Sequence, residues 1–453
     1  MSASEPPSVF LLPPSSTRGS ACKTVSAPRC FAVPCNAVIA AGSALGVRLR
    51  AWCAGAMLLW CGCVTPSQPG SLSAQAVPTP RDVHRDVQLV QSVPQGTSLA
   101  DPSLPSTQRV WIQMIRSATR SIDWAAFYVA SAPGEALEPV LRELALAASK
   151  GVRIRFLIDK QMATNDPMTL GFLERMPGAM VRQLDFNLVA SGSHHAKYLV
   201  IDGKEVFLGS QNFDWRSLSH IHELGLRIIN PHIAGQLSFL FEMDFALARD
   251  RNDTLEANPP VMPRGPSQDI EVGVSPPQLA PDGIRPALPV LLDLIRSARY
   301  TLSIQLLRYS AHQGSEPWES VQEALRQAAA RGVQVHLLVS NWSTQRPEVL
   351  DLKELSRFPN IEVRIATIPE VPGRFIPYAR VIHSKYAIAD DQQLWLGTTN
   401  WERGMFMASR NVDVVLRRSE VAKQASRVFL QLWNSSYSAP INVEKEYVMP
   451  RLR

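Results

Sequence analysis

One pattern of residues occurs twice in this 453-residue chain and limits what the chain can fold into. Residues 195–212 and residues 383–400 both fit His-x-Lys-x4-Asp-x6-Gly-(Ser/Thr)-x-Asn without a gap. Each specified residue of the second copy lies 188 positions after its counterpart, as His383 follows His195. Because every specified position matches in both copies, we expect a duplicated fold whose halves contribute to one active site.

Each copy of the pattern predicts a strand, a turn and a second strand. Alternating and β-branched residues follow the lysine, and the turns fall at Asp202-Gly203 and Asp390-Asp391. Side chains two apart on a strand share a face, so each motif histidine projects together with its lysine. The aspartate lies at an odd spacing, and we expect it to support the site from the opposite face. The returning strand brings the Gly-(Ser/Thr)-x-Asn segment alongside.

This set of side chains suits the cleavage of a phosphodiester. One neutral imidazole can attack phosphorus to give a phosphohistidine, while the other protonates the leaving oxygen and later activates water. Lysine, asparagine and hydroxyl groups can hold the non-bridging oxygens, so the scheme needs no metal and no cofactor. The sequence predicts the catalytic residues His195, Lys197, Asp202, His383, Lys385 and Asp390, and the phosphate-binding residues Ser210, Asn212, Thr398 and Asn400.

The paired motifs resemble those of the phospholipase D superfamily, over roughly residues 88–440. Three further segments are similar to the branch that holds the animal endolysosomal 5′-exonucleases and the poxvirus envelope phospholipases. They are GSQNFDWRS at 209–217, SPPQLAP at 275–281 and IPYARVIH at 376–383. The resemblance implies a phosphodiesterase that acts on phospholipid or on single-stranded nucleic acid.

The resemblance also implies roles for individual residues. His195 would be the nucleophile and His383 the general acid and then the base, although the symmetry of the motifs allows the reverse. Glu223 and Asp413 follow the two motifs where the family places a carboxylate that orients a catalytic imidazole, 11 and 13 residues after the motif asparagines. A surface ion pair is the alternative for both carboxylates.

The segments around the motifs predict an α/β fold of two similar lobes. Each lobe is expected to be a mixed β-sheet flanked by helices, with the active site between the lobes on a pseudo-twofold axis. The helix-strand-helix-strand pattern of residues 110–159 recurs at residues 288–340, and residues 419–433 predict a helix that caps the second lobe. We expect the chain to act as a monomer, since it carries both half-sites.

Changes in composition divide the chain into five parts. Proline-rich and serine-rich stretches suggest a tether at 64–109 and a linker at 251–287. The first two divisions are an N-terminal extension with a signal peptide or signal-anchor at 1–63 and a tether and lead-in to the first lobe at 64–109. The others are a first lobe at 110–250, the linker at 251–287 and a second lobe at 288–445.

Residues 1–63 predict export. Residues 47–63 combine two arginines, a short apolar run and small residues before Cys63, which is typical of a secretory signal peptide or a lipid-anchored leader. The run is shorter than the roughly 20 apolar residues of a spanning helix. We therefore expect an exported protein that is either membrane-anchored or located in the periplasm or another extracytoplasmic space.

Charge and cysteine content exclude some chemistry. Most of the net charge of +6 lies in residues 1–63, where five basic side chains face one acidic one, so the lobes are nearly neutral. All 6 cysteines precede residue 64, which excludes a thiol nucleophile, a disulfide and a cysteine-ligated zinc in the lobes. His220 and His222, two residues apart, are expected to be structural because no third ligand is near in sequence.

Two other functions fit parts of the pattern. A phosphatidyl transferase of the cardiolipin-synthase type differs only in using an alcohol instead of water as the second acceptor. A catalytically inactive membrane-surface binding protein would have lost motif residues, whereas both motifs are complete here. Trp215, Tyr378 and Arg380 are candidates for contacts with substrate, with ring packing or an ion pair as the alternative.

Overall fold

The computed structural model describes residues 86–248, 261–263, 267 and 269–453. Two large mixed β-sheets, each flanked by helices, form the framework of this part of the chain. This confirms the predicted α/β fold of two similar lobes. The predicted leader at 1–63 and most of the predicted tether lie outside the described residues. Within the described ranges, no helix has both the length and the hydropathy to cross a bilayer.

The first lobe contains nine strands and six helices, together with a 3-10 turn at Ala163–Asn165. They are β1 Val87–Ser92, α1 Thr107–Ser117, β2 Ser121–Ala126, β3 Val129–Ala130, α2 Glu138–Ser149, β4 Arg153–Asp159, α3 Pro167–Glu174, β5 Ala179–Leu184, α4 Phe186–Ala190, β6 Tyr198–Ile201, β7 Glu205–Gly209, β8 Phe213–Asp214, α5 Trp215–Ser219, β9 Glu223–Ile229 and α6 Pro231–Leu247.

The second lobe repeats this sequence of elements with additions, and it has 3-10 turns at Pro277–Leu279 and Asn341–Thr344. Its elements are β10 Ile270–Ser275, β11 Arg285–Pro286, α7 Ala287–Ser297, β12 Thr301–Leu306, β13 His312–Gln313, β14 Glu316–Pro317, α8 Ser320–Ala330, β15 Gln334–Ser340, α9 Glu348–Leu355, β16 Ile361–Ala366, β17 Tyr386–Ala389, β18 Gln393–Gly397, α10 Arg403–Met407, β19 Asn411–Leu416, α11 Ser419–Trp433 and β20 Ser438–Pro440.

The two large sheets share one strand order. The first runs β1-β9-β7-β6-β2-β4-β5, and the second has β10-β19-β18-β17-β12-β15-β16 in the corresponding places, extended by β11 and β20 at its edges. In each lobe the last three of these strands are parallel, and the others pair antiparallel. The motif strands β6 and β17 therefore lie at the centre of their sheets, where both faces are covered.

The repeated helix-strand-helix-strand pattern of the sequence is confirmed. In α1 the side chain of Ser106 accepts a hydrogen bond from Arg109 N, as an N-cap residue does, and the apolar face formed by Val110, Met114 and Ile115 is buried. The corresponding helix α7 buries the equivalent apolar stripe on the outer face of the second sheet.

The first strand of each lobe lies within a stretch that was predicted to be a tether with a lead-in or a linker. Residues 87–92 form strand β1 and residues 270–275 form strand β10, so each lobe begins with a strand in a stretch that its composition assigned to a connecting segment. Both strands pair antiparallel with the strand that follows the motif hairpin. The sequence did not predict these two short strands because prolines lie close to them. Proline occurs at the ends of strands as well as in linkers, so its presence does not distinguish the two.

The inner faces of both sheets pack into one central core together with α6 and α11. Leu237 and Phe241 of α6 and Phe429 and Leu432 of α11 are wholly or almost wholly buried there. Helix α11 was predicted to cap the second lobe, but it also contacts β1 of the first lobe. Burial of each such side chain contributes about 1.5–3 kcal/mol, so the central core holds the two lobes together.

Candidate active site

Two short parallel bridges join the lobes beside the motifs. His194 pairs with Arg410, and His222 pairs with Ile382. Each residue of one bridge lies 188 positions from a residue of the other, which is the offset of the duplicated motif. The lobes therefore meet through equivalent segments, and the pseudo-twofold axis passes between the two bridges.

The backbone at each motif histidine is held by the opposite lobe. His195 N donates to Arg410 O at 2.9 Å, and His383 N donates to His222 O at 2.9 Å. Both imidazoles are more than nine-tenths buried. The start of each motif is thus fixed by hydrogen bonds across the lobe interface as well as by its own sheet.

The two motif lysines lie beside the imidazoles. Nζ of Lys197 donates to His195 O, and Nζ of Lys385 donates to His383 O, both at 2.7 Å. Burial lowers the pKa of Lys385 to about 7, and burial together with the charge of Lys385 lowers the pKa of Lys197 well below its ordinary value. Burial, and then the charges of both lysines, also lower the pKa of His195 far below its ordinary value. The two motifs thus share one electropositive, desolvated site that favours an anion.

Glu223 orients the imidazole of the other lobe. His383 Nδ1 lies 2.9 Å from Glu223 Oε2, and the Ser217 hydroxyl donates to Glu223 Oε1 at 2.9 Å. Glu223 is completely buried, yet the charges of His383 and Lys385 keep its pKa below the ordinary value in spite of desolvation. A buried carboxylate at Nδ1 stabilises the imidazolium form of His383 and leaves Nε2 to face the substrate.

His195 has a neutral partner in place of a carboxylate. Its Nδ1 lies 2.8 Å from Asn411 Oδ1, and Asn411 is fully buried at the start of β19. Asn411 lies 188 positions after Glu223, so the duplication itself indicates this residue. It was missed in the sequence because only carboxylates were considered as partners of the imidazoles.

Asp413 does not make the contact with an imidazole that was expected from the sequence. Its carboxylate accepts hydrogen bonds from both backbone amides of the 398–399 turn and from the Thr399 hydroxyl, at 2.7–3.2 Å. Asp413 corresponds through the 188-residue offset to Gly225, not to the carboxylate of the first lobe. Asp413 therefore fixes the backbone of the 398–399 turn, and its burial raises its pKa to about 7.

The predicted phosphate-binding side chains lie at the turn after each returning strand. Ser210 and Thr398 are completely buried, and Asn212 and Asn400 are nearly so. Among the described residues, the side-chain oxygens of both asparagines have no hydrogen-bond partner. Because an unpaired buried polar group is costly, these two amides are suited to a polar ligand in the site.

Asp202 and Asp390 lie at the other end of the motif strands and hold a turn. Asp202 accepts from the backbone amides of residues 119–121, and Asp390 accepts from those of residues 299–301, at 2.8–2.9 Å. Both residues have a positive φ, of 53° and 56°. Their inclusion among the catalytic residues is therefore corrected: each fixes the hairpin turn to the start of a neighbouring strand, away from the imidazoles.

Phe127 is a residue near the site that no sequence motif indicated. Its half-buried ring meets the His195 ring edge-on at a centroid distance of 4.7 Å, and Lys197 Nζ lies 4.9 Å from the Phe127 centroid. The equivalent position in the second lobe is Leu307. The wall of the site beside His195 is thus aromatic, whereas Leu307 packs in a small apolar cluster with Ile376 and Val381.

The other histidines near the motifs are part of the lobe packing. His194 is completely buried, with Nε2 3.7 Å from Asp244 Oδ2, and His220 packs edge-on against Trp215 at 5.4 Å. Within the described ranges, no group of three or more His, Cys, Asp or Glu side chains is placed to hold a metal ion.

Duplicated α/β lobes that bring two imidazoles and two lysines into one buried site define a class of phosphodiester-cleaving enzymes. The chain belongs to the phospholipase D superfamily, because the family described as "Cardiolipin synthase, PLD-like domain" matches it at residues 111–245 and 291–433. It is a phosphodiesterase of that superfamily.

Several known proteins are similar to the chain over most of its length. The 5′-3′ exonuclease PLD3 of Bos taurus is 30% identical over 403 residues, which cover 80% of this chain and 81% of that protein. Phospholipase D Z of Dictyostelium discoideum is 30% identical over 388 residues, with coverages of 78% and 90%. The structure of phosphatidylserine synthase from Haemophilus influenzae Rd KW20 superposes with a TM-score of 0.54 at 14% identity, covering 74% of this chain and 85% of that one, which is a likeness of fold.

Proposed function

We propose that this enzyme hydrolyses single-stranded nucleic acid from the 5′ end through a phosphohistidine intermediate. The observation that carries the proposal is the pair of buried imidazoles, one from each lobe, that share one site with two lysines. Similarity to 5′-3′ exonucleases over four-fifths of the chain supports the choice of substrate.

In the first step His195 Nε2 attacks phosphorus and forms the N–P bond. The P–O bond to the leaving group breaks, and the leaving oxygen takes the proton from His383 Nε2. Glu223 stabilises the cationic form of His383 that supplies this proton. Lys197 and Lys385 balance the negative charge that grows on the non-bridging oxygens.

In the second step the neutral His383 takes a proton from water, and the resulting hydroxide oxygen attacks phosphorus. The N–P bond breaks and its electron pair returns to His195 Nε2. The amide groups of Asn212 and Asn400 can donate to the phosphoryl oxygens through Nδ2. Ser210 and Thr398 support the cradle by their hydrogen bonds to Leu224 O and Asn411 Oδ1.

Phospholipid is the second candidate substrate. Similarity to phospholipase D Z over 90% of that protein favours it, as does the membrane leader predicted at residues 1–63. A phosphatidyl transferase would use the same first step and differ only in the acceptor of the second. Phosphatidyl transfer to added glycerol distinguishes it from hydrolysis.

The test incubates the full-length protein with 5′-labelled single-stranded DNA and, separately, with vesicles of phosphatidylcholine or phosphatidylglycerol. Release of nucleotides from the 5′ end is expected, with a loss of at least about a thousandfold in His195→Ala and in His383→Ala. His232→Ala, at the start of α6, is the matched control and should retain activity. Turnover of the vesicles alone would overturn the choice of nucleic acid, and cleavage that survives both active-site variants would overturn the mechanism.

We also propose that the protein is located outside the cytoplasm and is attached to a membrane through the leader at residues 47–63. We expect it to be a monomer. The apolar run before Cys63 supports export, and the presence of both half-sites in one chain supports the monomer. Fractionation of the native host and light scattering of the purified protein test these points. Recovery in the cytoplasm, or activity found only in a dimer, would contradict them.

A further inference from the structure

The two catalytic imidazoles differ in the group that faces Nδ1. Glu223 lies 2.9 Å from Nδ1 of His383, and Asn411 lies 2.8 Å from Nδ1 of His195. The partners occupy equivalent positions, 188 residues apart, at the start of β9 and β19. The pseudo-twofold symmetry of the site is therefore broken by one pair of residues, an anion on one side and a neutral amide on the other.

The amide of Asn411 is held in one orientation. Its Nδ2 donates to Met405 O at 2.9 Å, and its Oδ1 accepts from the Thr398 hydroxyl at 2.9 Å. The oxygen therefore faces His195, so Nδ1 of His195 must carry a hydrogen to complete the bond. A neutral His195 then has its lone pair on Nε2, which is the tautomer that a nucleophile requires.

We propose that Asn411 is a positioning residue that commits His195 to nucleophilic attack and leaves proton transfer to His383. This inference rests on the proposed function and removes the ambiguity of roles that the duplicated motifs leave open. Asn411 supplies an acceptor without negative charge, so it selects the tautomer without stabilising the imidazolium. Glu223 selects the same tautomer in His383 and does stabilise the imidazolium.

The same asymmetry affects the intermediate. A histidine that is phosphorylated on Nε2 and keeps its Nδ1 hydrogen carries positive charge on the ring. A carboxylate at Nδ1 would stabilise that charge, whereas the amide of Asn411 does not, so the ring remains a good leaving group in the second step. The charged groups that face His195 are Lys197 from its own lobe and Lys385 and His383 from the other, all of which disfavour a cationic ring.

The variant that tests the proposal is Asn411→Asp, which adds charge with almost no change in volume. It should move the acidic limb of the kcat/KM profile up by about one to three pH units, and it should make the phosphohistidine accumulate. Glu223→Gln is the matched control at the equivalent position and should move the basic limb down instead. An Asn411→Asp protein that folds but keeps the wild-type acidic limb would overturn the proposal.

A second measurement needs no variant of Asn411. Nitrogen NMR of the full-length protein with labelled histidine reports the tautomer of each ring, and His195→Gln identifies the signal among the 9 histidines. At about pH 6 we expect His195 to be neutral with hydrogen on Nδ1. A cationic His195, or hydrogen on Nε2, would overturn the inference. Because this readout requires no substrate, a failure of the proposed activity would be seen separately in the nuclease and vesicle assays.

Discussion

At the residue scale, His195 and His383 have different electrostatic surroundings. Burial lowers the pKa of both imidazoles, and the lysines lower them further. Glu223 opposes this effect at His383, while His195 has only a neutral amide. The result is a nucleophile that stays neutral far into the acid range, paired with an acid whose pKa lies closer to the ordinary value.

The pH dependence of activity follows from these shifts. The pKa of His383 lies below its ordinary 6.5, and Lys385 titrates at about 7. Both must be protonated in the free enzyme, one to donate a proton and the other to bind the phosphoryl oxygens. We therefore expect kcat/KM to fall as the pH rises through the lowered pKa of His383 and on towards 7, with an acidic optimum. A profile measured at constant ionic strength checks this, and an optimum at about pH 8 or above would contradict it.

Lys385→Met should lower kcat/KM by about 10²–10³-fold, because it removes one of the charges that stabilise the transition state. Lys204→Met is the matched control, since Lys204 is exposed at the motif turn and should change activity by no more than about twofold. Steady-state kinetics on the substrate that the wild type cleaves provides the comparison. Equal losses in both variants would indicate general electrostatic steering instead of contact with the phosphoryl group.

At the element scale, the motif hairpin has a reactive end and a structural end. Asp202 at the structural end has its pKa lowered to about 2, and the hydrogen bonds that it accepts from Thr119 and from the amides of 120–121 outweigh its burial. Its stabilising effect is thus complete above the ordinary value of 3.8 and is lost as the pH falls towards 2.

Asp202→Asn should therefore reduce stability with little effect on chemistry. Asparagine tolerates the positive φ but loses the charge and one acceptor oxygen, at a cost of about 1–2 kcal/mol. Denaturant unfolding and kcat/KM are measured on the same preparation. A hundredfold loss of kcat/KM without a change in stability would restore a catalytic role to this residue.

Much of the fold and of the site follows from the duplicated pattern. The strand-turn-strand hairpins, the repeated helix-strand pairs and the histidine-lysine pairs depend on local spacing, which a sequence shows directly. Asn411 and Phe127 could not be found in this way, because their importance comes from contacts across the interface and between strands. The sequence pointed to Asn411 only through the 188-residue offset, which relates it to Glu223. The offset thus continues past the end of each motif.

At the scale of the whole molecule, the two lobes form one structural unit. They share the central core, and Arg410 of the second lobe donates to Asp244 of the first at 2.8 Å, with both side chains fully buried. Separating the lobes would break this buried ion pair, at a cost of about 3–5 kcal/mol. We therefore expect that neither lobe folds stably without the other. This explains why the active site can depend on hydrogen bonds that cross the interface.

Gly192 lies where the backbones of the two lobes approach each other closely, so a larger side chain there tests whether this approach is required. A Cβ at this position would lie 2.5 Å from the backbone carbonyl of Ala408 in the other lobe. Gly192→Ala should therefore push the lobes apart, lowering stability by about 1–3 kcal/mol and reducing kcat. Gly404→Ala is the control, since a Cβ added at Gly404 would meet no atom within 4 Å. Unchanged activity and stability in Gly192→Ala would show that the interface is looser than this contact requires.

Two imidazoles from separate lobes are expected to act on one phosphorus atom, and every proposed role in the site depends on this arrangement. A crystal structure of the enzyme with vanadate, which adopts the geometry of the phosphoryl transition state, tests it most directly. We predict vanadium bonded to Nε2 of His195, with Nε2 of His383 hydrogen-bonded to the opposite axial oxygen and both lysines on the equatorial oxygens. Vanadate bound to one imidazole with the other ring turned away, or bound elsewhere, would contradict this arrangement.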